Sequence, residues 1–181
     1  MKIRTAEARD AVPLAAIYGH HVAHGFGTFE TDPPSPADMA DRVAAVLAHG
    51  LPYLVAEIDG AVAGFAYGSP FRPRASYRYT VEDSVYIRPE RLGQGIGKAL
   101  LGALIEACQG VGLRQMVAMI GDSENARSIA LHQAMGFTPV GVFRAIGFKH
   151  GRWVDVAMMQ RALNAGADTP PEAVGLRLSG Y

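Results

Sequence analysis

Val85-Tyr86-Ile87, a turn from Arg88 to Gln94, then Gly95-Ile96-Gly97-Lys98-Ala99 is the stretch on which the reading of this 181-residue chain turns. A β-branched and aromatic run ends a strand. The Leu92–Gly97 turn follows, and Ile96, Leu100, Leu104 and Cys108 then recur at helical spacing until Gly110 and Gly112 stop the helix. Glycines let backbone N–H groups converge on a ligand without Cβ obstruction, and a helix N-terminus adds unpaired donors and about half a positive charge. That combination suits a pyrophosphate. It is not a P-loop, because Leu92 stands where the first glycine belongs and Ala99, not Ser or Thr, follows Lys98. It is not the dinucleotide pattern either, because Lys98 and Leu100 occupy the places of the third glycine. Taken by itself, the stretch can also be read as a tight turn without a ligand.

Outward from this turn, punctuation orders the rest. Residues 2–6 alternate as a short strand, and a helical stripe runs through Val12, Ala16 and Ile17 to about His24. After a loop over 25–34, Ser35 is a natural N-cap with Pro36 behind it and Asp38 three residues on; Met39, Val43, Val46 and Leu47 then mark a helix that Gly50 ends. Asp59-Gly60 between Tyr53–Ile58 and Ala61–Gly68 predicts a hairpin with a type I′ turn. Residues 77–87 read as a long strand, 115–120 as another and 125–135 as a helix. The last pair, 137–148 and 153–159, is joined through His150-Gly151. The order β-α-α-β-β-β-α-β-α-β-β is an α/β arrangement with helices on both faces of a mixed sheet. Beyond Leu163 the composition shifts, so one domain over 1–163 and a mobile or peripheral tail over 164–181 are expected.

Composition narrows the partners. Lys+Arg and Asp+Glu balance at 17 each, so no basic field points to nucleic acid or an anionic membrane. Any bound anion must be held locally. A single cysteine, Cys108 on the apolar stripe, excludes a disulfide framework and reads as core. The charged opening MKIRTAEARD is unlike a secretory signal, no run approaches a membrane span, and a reducing cytoplasm is the implied compartment. His20 and His24 are four apart, but no Glu follows the first His as in H-E-x-x-H, so they are read as surface residues and no metal is expected.

The strand, glycine turn and helix resemble the acyl-CoA signature of the GNAT superfamily of N-acetyltransferases. Gly95 and Gly97 match its last two positions, and Leu92 replaces its usual Gln or Arg. Thr28-Phe29-Glu30, Thr80–Tyr86, Val117–Gly121, Ile129–His132 with Gly136-Phe137, and Gly147–Trp153 are similar to the phosphinothricin N-acetyltransferase subfamily, which includes enzymes that acetylate methionine sulfoximine and methionine sulfone. The resemblance covers residues 2–162. It implies an acyl-CoA N-acyltransferase fold: a mixed, mostly antiparallel twisted sheet of about seven strands. It implies acetyl-CoA as co-substrate, a small amino-acid-like amine as acceptor, direct attack on the thioester and a homodimer.

The resemblance also implies roles by position. An α-amino group with a pKa of about 8 is mostly protonated at neutral pH, so a general base helps; Glu82 stands where the subfamily carries its base, with Asp83 as the alternative. By strand alternation Glu82 and Ser84 share one face, and Asp83 and Val85 the other. Backbone N–H groups of Val85 or Tyr86 would meet the thioester oxygen and Ile87 the pantetheine arm, while Gly93, Gln94, Gly95, Ile96, Gly97 and Lys98 would hold the pyrophosphate. Asn125 and Ser128 fall on further cofactor positions. His132, where many members carry a Tyr, would protonate the thiolate or hold the cofactor. On the acceptor side the resemblance points to Phe29, Glu30, Arg72, Arg74, Val81 and Asp83, with Arg72 gripping a carboxylate (Arg74 or Arg78 as substitutes) and Glu30 receiving the ammonium. Lys149, His150 and Trp153 fall in a hairpin near a partner's pocket. An acetyltransferase for a peptide N-terminus or a polyamine, and a noncatalytic acyl-CoA-binding domain, are the competing functions.

Overall fold

The computed structural model describes residues 1–178. Seven strands, β1 (Lys2–Thr5), β2 (Tyr53–Ile58), β3 (Ala61–Pro70), β4 (Thr80–Ile87), β5 (Gln115–Gly121), β6 (Thr138–Lys149) and β7 (Arg152–Ala162), form one sheet in the order β1-β2-β3-β4-β5-β7-β6. Only β4 and β5 run parallel among the six neighbouring pairs. Four helices cover the sheet: α1 (Ala11–His24), α2 (Pro36–Ala48), α3 (Ile96–Gly110) and α4 (Ala126–Ala134). The topology is that of the acyl-CoA N-acyltransferase fold.

Local chemistry explains the elements. At α2 the Ser35 hydroxyl accepts from the Asp38 N–H, and the Asp38 carboxylate accepts from the Ser35 N–H, a reciprocal box behind Pro36. Asp59 and Gly60 both take positive φ, 52° and 77°, as the β2–β3 turn requires. Two apolar layers result. The α3 stripe (Ile96, Leu100, Leu104, Cys108) is buried with Val81, Met116 and Ala118 on one face of the sheet, whereas Leu14, Tyr18 and Val22 of α1 and Met39 and Val43 of α2 pack with Tyr53, Phe65 and Tyr86 on the other. With no helix long and apolar enough to cross a membrane among the described residues, these layers form the core.

Two expectations change. The strand predicted from residue 77 starts at Thr80, because Ala75–Tyr77 form a 3-10 turn closed by the Arg78 N–H on the Ala75 carbonyl. The Tyr79 carbonyl then receives the N–H groups of Arg114 and Gln115. The tail is peripheral but docked. Leu176 is buried in the α3-side core, and its N–H donates to the Arg78 carbonyl. The buried Arg114 guanidinium donates to the carbonyls of Gly166 and Thr169 and to the Thr169 hydroxyl. A polar composition concealed this docking because its partners are backbone carbonyls and one leucine. Replacing Arg114 with Ala should free residues 164–178 to proteases and cost about 2 kcal/mol, the range for hydrogen bonds to a charged group; limited proteolysis and urea unfolding measure the two effects.

Candidate active site

The site is created by a divergence. β4 and β5 pair over only four residues, from Thr80↔Gln115 to Asp83↔Ala118. Beyond these, β4 stays with β3 as far as Ile87, and β5 stays with β7 as far as Gly121. Hydrogen-bond alternation identifies which peptide groups are left open. The Arg88 N–H donates to Ala63, so Tyr86, Ser84 and Glu82, two residues apart on the same ladder, spend their backbone groups on β3. The peptide groups of Val85 and Ile87 therefore face the gap. On the far side Leu163 donates to Arg114 and Asp122 to Asp155, which leaves the groups of Met119 and Gly121 facing it too. His21 reaches in from α1 and bonds the Ile87 carbonyl through Nε2 at 2.9 Å. Burial pushes the His21 pKa down, so this nitrogen donates from a neutral ring.

One end of the gap leads to the glycine turn. Gly93 and Gly95 have φ of 77° and 78°, and a Cβ on either would meet nothing within 4 Å. Gly95 is the N-cap of α3, and no side chain caps that helix. The first donors of a 15-residue helix are thus presented at an exposed surface of backbone, with Gln94 and Lys98 exposed beside them and buried Ile96 anchoring the turn. Gly97 faces α4, where a Cβ would come within 3.3 Å of Leu131. These residues fit a pyrophosphate carried on an extended chain that lies between β4 and β5.

The other end opens on a cleft of about 420 Å³ on the α1 side of the sheet, lined by Glu82, Ser84, Tyr86, Phe29, Arg72 and Met119, among others. Alternation along β4 thus presents Glu82 to the cleft. Burial raises its carboxyl pKa above the ordinary 4.5, the neighbouring Asp83 charge adds to this, and Arg72 opposes it. Arg72 is exposed, and its guanidinium lies 4.8 Å from the centre of the Phe71 ring.

Val81 and Asp83 point to the opposite face and are buried, away from the acceptor cleft. Arg74 is exposed at the start of the 3-10 turn and does not line the cleft. Glu30 lies behind it: Arg42 grips both its oxygens at 2.8 and 2.9 Å, and the Tyr18 hydroxyl donates to it. That carboxylate is committed to holding its own loop.

Asp83 instead meets His132. The His132 Nε2 is 3.0 Å from Asp83 Oδ2, and Nδ1 donates to the Ser128 carbonyl at 2.7 Å. The Asp83 Oδ1 atom is buried without a partner. Burial alone would lower the His132 pKa, but the Asp83 bond and charge, with the Ser128 carbonyl, more than offset this and raise it. Both ring nitrogens face acceptors, so the imidazolium is the favoured form. Asn125 caps α4, its side chain accepting from the Ser128 N–H at 3.2 Å.

Several lining residues escaped sequence reasoning. Ser84 and Tyr86 follow from the alternation that places Glu82. Phe143 and Ile146 do not, because β6 breaks register between Phe143 and Gly147. There Ala145 takes φ 48°, its N–H donating to Asp155 Oδ1, while Arg144 donates to Oδ2. A bulge of this kind re-aims side chains, and nothing in the alternation of β6 signals it. Among the described residues no group of three or more His, Cys, Asp or Glu is arranged to hold a metal ion.

A twisted sheet opened between two parallel strands, with a glycine-lined helix start at one end and a half-buried carboxylate at the other, has the form of an acyl-CoA-dependent transferase site. The model of the acetyltransferase (GNAT) family matches residues 17–137, and the chain belongs to that family. It is 51% identical over 170 residues to the phosphinothricin N-acetyltransferase of Alcaligenes faecalis, covering 94% of this chain and 86% of that one. With the L-methionine sulfoximine/L-methionine sulfone acetyltransferase of Salmonella typhimurium it shares 38% identity over 92% of this chain and 97% of the other. The crystal structure of a GNAT superfamily phosphinothricin acetyltransferase from Sinorhizobium meliloti, in complex with acetyl-CoA, superposes with a TM-score of 0.91 at 48% identity, over 94% of this chain and 92% of that one.

The raised His132 pKa carries a sign. Protonated His132 stabilises the fold fully below its unfolded pKa of about 6.5, and this contribution is lost as pH rises through the higher folded value. Urea unfolding of wild type should therefore show stability falling as pH rises above about 6.5 and through the folded value, and Asp83→Asn should flatten the fall and lower the imidazole pKa read by NMR.

Proposed function

We propose that this protein transfers the acetyl group of acetyl-CoA to the amino group of a small amino-acid-like acceptor of the phosphinothricin, methionine sulfoximine or methionine sulfone type. The observation that carries the reading is Glu82, desolvated in a cleft with Arg72, beside the point where the β4 backbone turns its peptide groups to the open gap. Acetyl-CoA, when bound, supplies an activated acetyl thioester. The exposed N–H groups of residues 93–98 would hold its pyrophosphate, and the open peptide group of Ile87 its pantetheine arm. The Val85 N–H would donate to the thioester oxygen as it gains charge. Tyr86 contributes its side chain to the cleft, while its backbone is committed to β3.

Glu82 takes the proton from the acceptor ammonium. Burial, helped by the Asp83 charge, raises its carboxyl pKa and so brings it nearer that of the amine. Arg72 pairs with the acceptor carboxylate, and Phe29 and Met119 give its side chain an apolar wall. Among the described residues lining the cleft, Glu82 is the sole carboxylate, which disfavours a polyamine acceptor. His132, with both nitrogens engaged, acts by holding α4 against β4 through Asp83, next to the cofactor gap. Asn125 and Ser128 serve the same helix.

The active form is proposed to be a homodimer. Phe148 and Trp153, exposed by 61% and 63% and packed edge to face on the β6–β7 hairpin, form an apolar tip that a second copy would cover. Light scattering should return about twice the 19.2 kDa chain mass.

Free-thiol release from acetyl-CoA with a panel of the three acceptors, common amino acids, spermidine and N-terminal peptides tests the reaction. Turnover should be confined to the amino-acid-like acceptors. Glu82→Gln should lower kcat/KM by about 10² to 10⁴ and abolish an acidic limb centred above pH 4.5; Arg72→Ala should raise acceptor KM with little effect on the KM for acetyl-CoA. Release with peptides or spermidine alone would overturn the acceptor class. Acetyl-CoA binding with no release across the panel would favour a noncatalytic acyl-CoA-binding domain.

A further inference from the structure

The Phe29 ring, a wall of the cleft, rests on the backbone of β6 at Gly147. A Cβ at that position would stand 2.6 Å from Cδ2 and 2.8 Å from Cζ of the ring, distances that carbon atoms do not share. The glycine is not demanded by backbone conformation, since Gly147 is not among the residues with positive φ. What requires it is the ring.

Phe29 has no freedom to retreat, because its loop is held on both sides. The buried Lys149 ammonium donates to the Thr28 carbonyl at 2.7 Å, and Tyr18 bonds the Thr28 hydroxyl at 2.8 Å. Glu30 is clamped by Arg42 and Tyr18. Upstream, the Phe26 carbonyl sits so close to Gly121 at the end of β5 that no side chain fits there. With the loop so held, a group added at residue 147 must displace the ring itself, which lines the cleft and is 41% exposed. We propose that Gly147 is a positioning residue for acceptor specificity: by lacking a side chain it seats Phe29, and that seat sets the width of the cleft where the acceptor side chain lies. The proposal rests on the reading of this cleft as the acceptor site.

Steady-state kinetics of Gly147→Ala, Phe29→Ala and the double variant, each with methionine sulfone, phosphinothricin and glycine as acceptors, tests it. With Gly147→Ala the KM for the two longer acceptors should rise by about tenfold or more, the discrimination expected of one methylene-sized change in a pocket. The KM for acetyl-CoA should stay near wild type. In the double variant, with the ring gone, the added methyl should have no further effect beyond that of Phe29→Ala. Additive effects of the two changes, or a Gly147→Ala enzyme whose acceptor KM values match wild type, would overturn the seat. So would a loss of acetyl-CoA affinity that the double variant does not restore. If wild type turns over none of the panel, the acceptor reading itself falls and this role for Gly147 falls with it; wild-type turnover with unaltered KM values defeats the Gly147 role alone.

Discussion

Two parallel strands that stop pairing after four residues are the constraint from which the rest of this molecule follows. A buried peptide group left without a partner is costly, so a sheet that opens between its central strands needs something to occupy the gap. Here β4 and β5 each keep their outer neighbours to the end, β3 for one and β7 for the other, and only their inward-facing groups are released. The opening is stable because the ladders flanking it, β3–β4 and β5–β7, run on without a break. It is also selective in what it presents, since alternation releases the groups of Val85 and Ile87 and keeps those of Tyr86 bonded to β3.

The same alternation separates the two carboxylates of Glu82-Asp83. One residue of offset along a strand sends adjacent side chains to opposite faces. Glu82 enters a cleft where burial raises its pKa, with Arg72 as the nearby cation. Asp83 enters the α3 and α4 side and pairs with His132, where its hydrogen bond and charge, together with the Ser128 carbonyl, outweigh the cost of burying an imidazolium. Two chemically similar neighbours thus meet an open cleft and a buried histidine because of the pleat alone. Their coupling across the backbone is direct, for the Asp83 charge is one of the causes that raise the Glu82 pKa.

Much of this was legible in the sequence, and the pattern of what was not is physical. Helix caps, the Asp59-Gly60 turn and the glycine start of α3 are local, so residues within four positions of one another decide them, and they stand where spacing placed them. That Glu82 and Asp83 face opposite sides followed from the period of a strand, and the choice of Glu82 for the cleft came from the family resemblance. Contacts that join distant segments were hidden. Glu30 reads as a free carboxylate until Arg42, twelve residues away on α2, is seen to hold it. Arg114 carries no signal in the sequence of the tail carbonyls it holds, 52 and 55 residues on. The bulge in β6 depends on Asp155 of the neighbouring strand, whose carboxylate meets the Ala145 N–H and the Arg144 guanidinium and makes a left-handed alanine tolerable. Pattern within β6 carries no trace of that partner.

Two of these hidden contacts, at Glu30 and at Asp155, fix the loop and the bulge that line the cleft rather than the gap between β4 and β5. The gap is built from backbone groups whose positions the sheet dictates, so many side chains are compatible with it, as the Leu92 departure from the acyl-CoA signature illustrates. The cleft is built from side chains carried on the 25–34 loop and on an irregular edge strand, each held by one or two long-range bonds such as Lys149 to Thr28. A substitution that severs one of those bonds alters the pocket without disturbing the sheet. In the proposed function, chemistry and specificity are carried by different kinds of structure in the same small domain, the first by regular hydrogen-bond periodicity and the second by a few removable tethers.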